Sequence, residues 1–352
     1  MKTLTIIGTR PELIRLSEII KKLDKYTCHI FVYTNQSYDY ELSQIFFDEL
    51  KIRKPNYTLD VKSETVGEQI GKILVQCEQV LLKEKPDAVL ILGDTNSALS
   101  CIVAKRLKVP IFHMEAGNRC FDDRVPEEIN RRIVDHSSDV NLCYTEHARR
   151  NLLREGFASQ DIFVIGSPLP EVYAAHQKGI EESRILESLK LEKDKYLLAS
   201  IHREENVENE IKLHSILNSL YALDKEYMMP IILSTHPRTR KKLDGLSIGR
   251  IILHKPFGML DYIKLQQNAF CNLSDSGTAH EDAAILNIPM VIVRESQERP
   301  EVYDCGNVIM AGVDSKTILN AVKVVRGQIG VKFDNPYEIN NCSDKVVRLI
   351  VG

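Results

Sequence analysis

Apolar residues along the chain fall into short β-rich runs that alternate with longer stretches of helical spacing. Leu4–Ile7, His29–Tyr33, Ala88–Leu92, Pro110–His113 and Val140–Cys143 read as strands. Between them, Pro11–Leu23, Val66–Lys83, Ser97–Leu107, Glu127–His136 and Glu146–Glu155 read as helices, the first with proline in its opening turn. The rhythm breaks at Gly166-Ser167-Pro168-Leu169-Pro170, which predicts a linker. A charged stretch runs through Lys195. The alternation then restarts with Leu197–Ser200, Ile211–Leu223, Ile231–Thr235, Ile251–Leu253, Leu260–Asn268, Phe270–Leu273, Ala279–Leu286 and Met290–Val293. Strand–helix alternation on both sides of a break predicts two α/β domains, residues 1–167 and 168–341, each a parallel sheet wrapped by helices. A cleft between them is expected, with ligands bound beyond the carboxyl ends of the strands.

Composition agrees with two domains and narrows the partners. A chain of 352 residues exceeds what one core usually serves. Its 43% hydrophobic and 27% charged residues are ordinary for a globular protein. A formal charge of −3 gives no reason to expect a nucleic-acid or membrane partner. The eight cysteines include no CxxC pair and read as reduced, mostly buried thiols. The opening MKTLTIIGTRPE is too short an apolar run for a signal peptide, and no run of about 18 apolar residues follows. A cytoplasmic protein is the expectation.

The chemistry gathers just after the strands. Gly8-Thr9-Arg10-Pro11-Glu12 turns into a helix whose N–H groups and Arg10 suit an anion, though a plain β–α turn reads the same way. No GxGxxG is present, so a nicotinamide cofactor is not indicated. Asp94 in Gly93-Asp94-Thr95-Asn96, Glu115 in His113-Met114-Glu115-Ala116-Gly117-Asn118-Arg119 and Glu127 in Pro126-Glu127-Glu128 arise from neighbouring strand ends and loops. Each alone reads equally as a helix cap or surface acid. Converging on one cleft, they would repel one another and raise at least one pKa, as acid–base chemistry needs. In the second half, His202 and His236 follow strands. Ser276-Gly277-Thr278 opens a helix as an anion cradle, with Glu281 and Asp282 one turn on and Arg294 and Arg299 after the next strand.

Taken in order, GTRPE, GDTN, HMEAGNR, PEEINR, HREEN, SDSGT and RESQERPE, from residue 8 to residue 301, resemble the non-hydrolysing UDP-N-acetylglucosamine 2-epimerase family. The resemblance implies a glycosyltransferase-B-like pair of Rossmann-like domains, a homodimer, and a C-terminal helix near 342–352 packing back on the first domain. It implies neither metal nor other cofactor. The activity implied is epimerisation at C2 of a UDP-linked 2-acetamido sugar: a base takes the C2 proton as UDP leaves C1, and UDP re-adds to the 2-acetamidoglycal. On this resemblance Asp94, Glu115, Glu127 and His202 match catalytic positions. Arg10, Arg15, Arg131, His236, Ser276, Gly277, Thr278, Glu281, Asp282 and Arg299 match positions that hold substrate.

The chain departs from the family pattern in places. Ser276-Gly277-Thr278-Ala279-His280-Glu281-Asp282 stands for SGGxQEE, Thr34-Asn35-Gln36-Ser37 for a TGQH-like segment tied to activation by substrate, and Arg15 for a common lysine. The loop from Glu115 to Asp122 looks like the branch that makes UDP-N-acetyl-L-fucosamine from UDP-2-acetamido-2,6-dideoxy-L-talose. The expected substrate is therefore divided between that sugar and UDP-N-acetylglucosamine, with surface-polysaccharide precursor synthesis as the setting. The rivals are a glycosyltransferase of the same build, a hydrolysing 2-epimerase, and a non-catalytic UDP-sugar sensor.

Overall fold

The computed structural model describes residues 1–35, 40–123, 125–235, 237–243, 249–339 and 341–352. The chain forms two compact units, Met1–Ala175 with Tyr337–Gly352, and His176–Pro336.

Among the described residues the first unit holds a seven-stranded parallel sheet. Its strands are β1 (Lys2–Ile7), β2 (Cys28–Tyr33), β3 (Tyr57–Thr58), β4 (Ala88–Leu92), β5 (Ile111–Met114), β6 (Val140–Cys143) and β7 (Ile162–Val164), in the order β3-β2-β1-β4-β5-β6-β7. Both faces of such a sheet are covered, so its central strands are apolar almost throughout. On one face Leu4, Ile6, Val32, Val89 and Ile91 pack against Ile73, Cys77 and Val80 of the helix Val66–Glu84. That helix starts where the Thr65 hydroxyl caps the Glu68 N–H, and it stops at Lys85 in the left-handed conformation.

The second unit repeats the scheme with β8 (Leu197–Ser200), β9 (Ile231–Ser234), β10 (Ile251–His254), β11 (Cys271–Ser274), β12 (Met290–Ile292) and β13 (Ile309–Met310). Their order is β10-β9-β8-β11-β12-β13, again parallel. Alternation along the strands divides the core. Leu197, Ala199, Ile231, Leu233 and Leu273 meet Leu213, Leu217 and Leu220 of the helix Glu210–Tyr227, while Leu198 and Ile232 face Leu265 and Ile185 on the other side. Each such buried leucine contributes roughly 1.5–3 kcal/mol.

In both units the strand order reverses beside the first strand, between β1 and β4 and between β8 and β11. The loops leaving those strands diverge there and open a crevice at the strands' carboxyl ends. The loops singled out from the sequence, after Ile7, Leu92, Ser200 and Ser274, are those four.

The structure corrects several boundaries. Gly166–Pro170 is not only a linker: the helix Leu169–Glu182 begins inside it, with Pro170 in a first turn that has no use for its missing N–H. Ser97–Leu107 splits into a 3-10 turn, Asn96–Ser100, and a short helix, Cys101–Arg106. The helices Tyr40–Leu50 and Ser315–Gly327 and the short edge strands β3, β7 and β13 are additional. The terminal helix Cys342–Val351 packs on the helix Arg10–Tyr26, where Lys22 Nζ lies 2.6 Å from Asp344, and the Ser343 N–H donates to Glu171. Among the described residues no helix is long and apolar enough to cross a membrane.

Candidate active site

In the first unit the loop after β1 is held by Glu12, which is 3% exposed. Its Oε2 accepts from the Gly8 N–H (2.7 Å), the Thr9 N–H (2.6 Å) and the Thr9 hydroxyl (2.9 Å). Its Oε1 accepts from the Thr95 hydroxyl at 2.8 Å, which ties this loop to the one after β4. Burial pushes the carboxyl up to about 7, against the pull of those donors. The clamp sets the backbone from which Arg10 departs, its guanidinium 5.6 Å over the Phe46 ring.

Asp94 follows Gly93, whose φ of +73° suits the turn out of β4. Arg131, on the helix Pro126–Ser137, places Nε and Nη2 each 2.8 Å from Asp94 Oδ2. Glu115 leaves β5 with φ +67°, a left-handed backbone that a non-glycine residue adopts only under constraint. Its Oε2 lies 3.7 Å from Nη1 of buried Arg15, which stacks over Tyr144. Each of these carboxylates thus faces a guanidinium. Arg131 and Arg15 supply the opposite charges.

A second buried network holds the strand ends themselves. Asp135 lies 2.8 Å from His113 Nδ1 and 2.7 Å from Arg119, and it accepts from the Gly117 N–H, while His113 Nε2 donates to the Gly93 carbonyl at 2.9 Å. Burial pushes the Asp135 carboxyl up, but His113 and Arg119 outweigh it and hold the group below the usual range. Gly117 has no room for a side chain, since a Cβ would stand 2.3 Å from the Ala148 carbonyl oxygen. Of the two acids that open the helix Pro126–Ser137, Glu128 is buried and structural, accepting from the Cys120 and Phe121 N–H groups and pairing with Arg131 at 3.0 Å. Glu127 is half-exposed at the same helix end.

In the second unit Asp275, fully buried at the end of β11, gathers the loop after β8. It accepts from the N–H groups of His202 (3.1 Å) and Arg203 (3.0 Å) and from Asn206 Nδ2 (3.1 Å). Ser276-Gly277-Thr278 then leads into the helix Thr278–Leu286. A Cβ on Gly277 would come within 2.6 Å of Glu298 Oε1, so glycine lets the turn pass that carboxylate. Glu298 pairs with buried Arg294 (3.0 Å) and faces Arg203 (3.7 Å). Glu281 and Arg299, both buried, pair at 2.9 Å. Asp282 accepts from Gln266 at 2.9 Å in the interior. His280 is buried against the Tyr303 hydroxyl, and burial lowers its imidazole to about 4, so it is neutral near pH 7. Among the described residues no cluster of three His, Cys, Asp or Glu side chains is arranged to hold a metal ion.

The family described as "UDP-N-acetylglucosamine 2-epimerase" matches residues 21–351. The chain belongs to that family. It is therefore an isomerase of the epimerase class with two Rossmann-like units of the glycosyltransferase-B-like kind. A solved UDP-N-acetylglucosamine 2-epimerase from Rickettsia bellii is 48% identical, with a TM-score of 0.91 over 100% of this chain and 96% of that one. The Methanocaldococcus jannaschii UDP-GlcNAc 2-epimerase, solved in complex with UDP-GlcNAc and UDP, is 38% identical, with a TM-score of 0.93 over 100% and 99%. The UDP-2,3-diacetamido-2,3-dideoxy-D-glucuronate 2-epimerase of Pseudomonas aeruginosa is 36% identical over 93% of each chain.

In this epimerase the residues anticipated from the sequence divide by unit. Arg10, Arg15, Asp94, Glu115, Glu127 and Arg131 stand on the first, and His202, Ser276, Gly277, Thr278, Glu281, Asp282 and Arg299 on the second. His236 lies outside the described residues, as do Gln36 and Ser37 of the Thr34–Ser37 segment. Glu12, Asp135, Asp275 and Glu298 were not among the residues anticipated from the sequence. Glu12 and Asp275 sit inside the GTRPE and SDSGT motifs, and their signal was an acid at the third helical position or at a strand end. Glu298 also sits inside a motif, RESQERPE, four residues from its partner Arg294, whereas Asp135 carried no local signal because His113 and Arg119 are remote from it in sequence.

Proposed function

We propose that this epimerase inverts C2 of a UDP-linked 2-acetamido sugar without releasing the nucleotide. The observation that supports it best is the pairing of strand-end carboxylates with arginines in the first unit, Asp94 after β4 with Arg131 and Glu115 after β5 with Arg15. A guanidinium partner fixes each carboxylate in position at its strand end. The C2 proton moves to a carboxylate while the C1–O bond breaks with its electron pair going to UDP, leaving a C1=C2 double bond in an anti elimination. A diphosphate oxygen then re-adds at C1 as C2 takes a proton on the opposite face. Asp94, Glu115 and Glu127 are the proton carriers, and His202 serves the departing diphosphate. Arg10, Ser276, Gly277, Thr278 and Arg299 hold the nucleotide.

Relatives solved with UDP-GlcNAc support a UDP-sugar ligand, and UDP-N-acetylglucosamine is the first substrate to test. The resemblance of the Glu115–Asp122 loop to the branch that makes UDP-N-acetyl-L-fucosamine favours the 6-deoxy-L-talose nucleotide as the second. A cytoplasmic homodimer that supplies surface-polysaccharide precursors completes the reading. Proton NMR in D2O with each nucleotide sugar tests it: deuterium appears at C2 with a new anomeric signal, and no free UDP accumulates. Accumulating UDP points to a hydrolysing epimerase. Sugar transfer that depends on an acceptor points to a glycosyltransferase. Binding without exchange at C2 ends the catalytic reading.

A further inference from the structure

We infer that Asp275 is a positioning residue for His202, fixing which ring nitrogen carries the proton and which faces the reaction; this rests on the role proposed above for His202. The geometry comes from the switch point of the second sheet, where β8 and β11 lie side by side in register, Ser200 beside Ser274. The next residue of β11 is Asp275, whose carboxylate turns back under the β8 loop. Oδ2 takes the Arg203 N–H (3.0 Å) and Asn206 Nδ2 (3.1 Å), and the His202 N–H is 3.1 Å from both oxygens. Oδ1 also lies 3.3 Å from His202 Nδ1.

A carboxylate offers only acceptors, so the imidazole meets it best with Nδ1 protonated. Nε2 is then the nitrogen that exchanges a proton with substrate, and it points away from Asp275 on a side chain that is 42% exposed. The anchor itself is fully buried and fixed by main-chain donors, so it cannot follow the ring if the ring turns. Other charged and titratable groups are near. Arg203 shares the loop and is offset by Glu298 at 3.7 Å, and half-buried Tyr262, from the helix Met259–Asn268, bonds Ser200.

The test is the nitrogen spectrum of His202 in the full-length enzyme, read beside turnover. In Asp275→Asn the amide oxygen is drawn to Arg203 and Asn206, where donors crowd. The amide NH2 then takes the place of Oδ1 and forces Nδ1 to accept. We expect wild-type His202 to show Nδ1–H at neutral pH, and Asp275→Asn to show Nε2–H with kcat lower on the order of 100-fold and KM within about threefold. Asn206→Ala removes a donor on the far side of the carboxylate and should leave the tautomer unchanged. If Asp275→Asn keeps the wild-type tautomer, or Asn206→Ala shifts it equally, Asp275 only braces the loop and the inference falls. If the tautomer inverts while both Asp275→Asn and His202→Asn turn over normally, the geometry stands and the catalytic role of His202 fails instead.

Discussion

Arg131 holds Asp94 with two nitrogens, Nε and Nη2, each 2.8 Å from the same carboxylate oxygen, while its Nη1 is committed to Glu128 at 3.0 Å. One side chain thus joins the loop after β4 to the helix that presents Glu127. Asp94→Asn should lower kcat by about 10²–10⁴-fold if Asp94 carries a proton, with little change in the melting curve. Arg131→Lys keeps the charge but replaces a planar fork with a single ammonium, so it should lose activity to a smaller degree. Steady-state kinetics beside circular dichroism decides this. Unchanged turnover in Asp94→Asn would remove Asp94 from the chemistry.

Glu12 should make the first unit less stable as pH rises. Its carboxyl titrates at about 7 when folded against 4.5 as the ordinary value. Between those values the folded state binds more protons than the unfolded one, so stability falls with rising pH until the folded group is fully ionised. The size of the effect is about 3 kcal/mol. Glu12→Gln removes the titration. Compared by urea unfolding at pH 5 and pH 8, the wild type should lose about that much relative to the variant. A difference independent of pH would show that the loop donors fully offset the burial.

His280 predicts the opposite slope in the second unit. Its imidazole is lowered from 6.5 to about 4 by burial. The unfolded state therefore binds more protons across that interval, and stability falls as pH drops from about 6.5 toward 4. His280→Gln should flatten the acid limb for signals from the second unit and leave the first unaffected. Amide exchange measured at pH 7 and pH 4.5 resolves the two, and uniform acid lability would contradict it.

Two glycines should respond differently to alanine. At Gly117 the new Cβ meets a backbone carbonyl oxygen at 2.3 Å with φ at +80°, and nothing there moves cheaply. Gly117→Ala should cost more than about 2 kcal/mol of stability and displace Glu115. At Gly277, with helical φ, the obstacle is the Glu298 carboxylate at 2.6 Å. Gly277→Ala should retain the fold and weaken UDP binding about tenfold, as Glu298 is pushed against Arg203 and Arg294. Calorimetry with UDP and thermal unfolding separate the cases. Equal stability losses would mean that Glu298 cannot give way.

The central strands were legible because a strand buried on both faces is an unbroken apolar run, as in Ala88-Val89-Leu90-Ile91-Leu92. The edge strands were not: Tyr57–Thr58 and Ile309–Met310 are two residues long and paired on one side, too short to leave a period. The helix Leu169–Glu182 hid behind two prolines, which mark a helix start as readily as a linker. At the site, residues such as Asp94 and Glu115 were visible because they follow strands. What answered their charge was not, since Arg15 and Arg131 lie 100 and 37 positions away in sequence from the acids they meet. Spacing shows where the polar groups leave the sheet, whereas three-dimensional packing decides which of them are already satisfied.

The first unit is built from both ends of the chain, since the helix Cys342–Val351 is seated on Arg10–Tyr26 and Tyr337 is fully buried with that unit. A polypeptide emerging from a ribosome can therefore finish the second unit while the first still lacks one wall, leaving the surface of Arg10–Tyr26 around Lys22 uncovered until residues 342–351 have emerged. Premature termination between about residue 336 and the start of that helix at Cys342 would yield one sound unit and one permanently open one, a product suited to capture by chaperones.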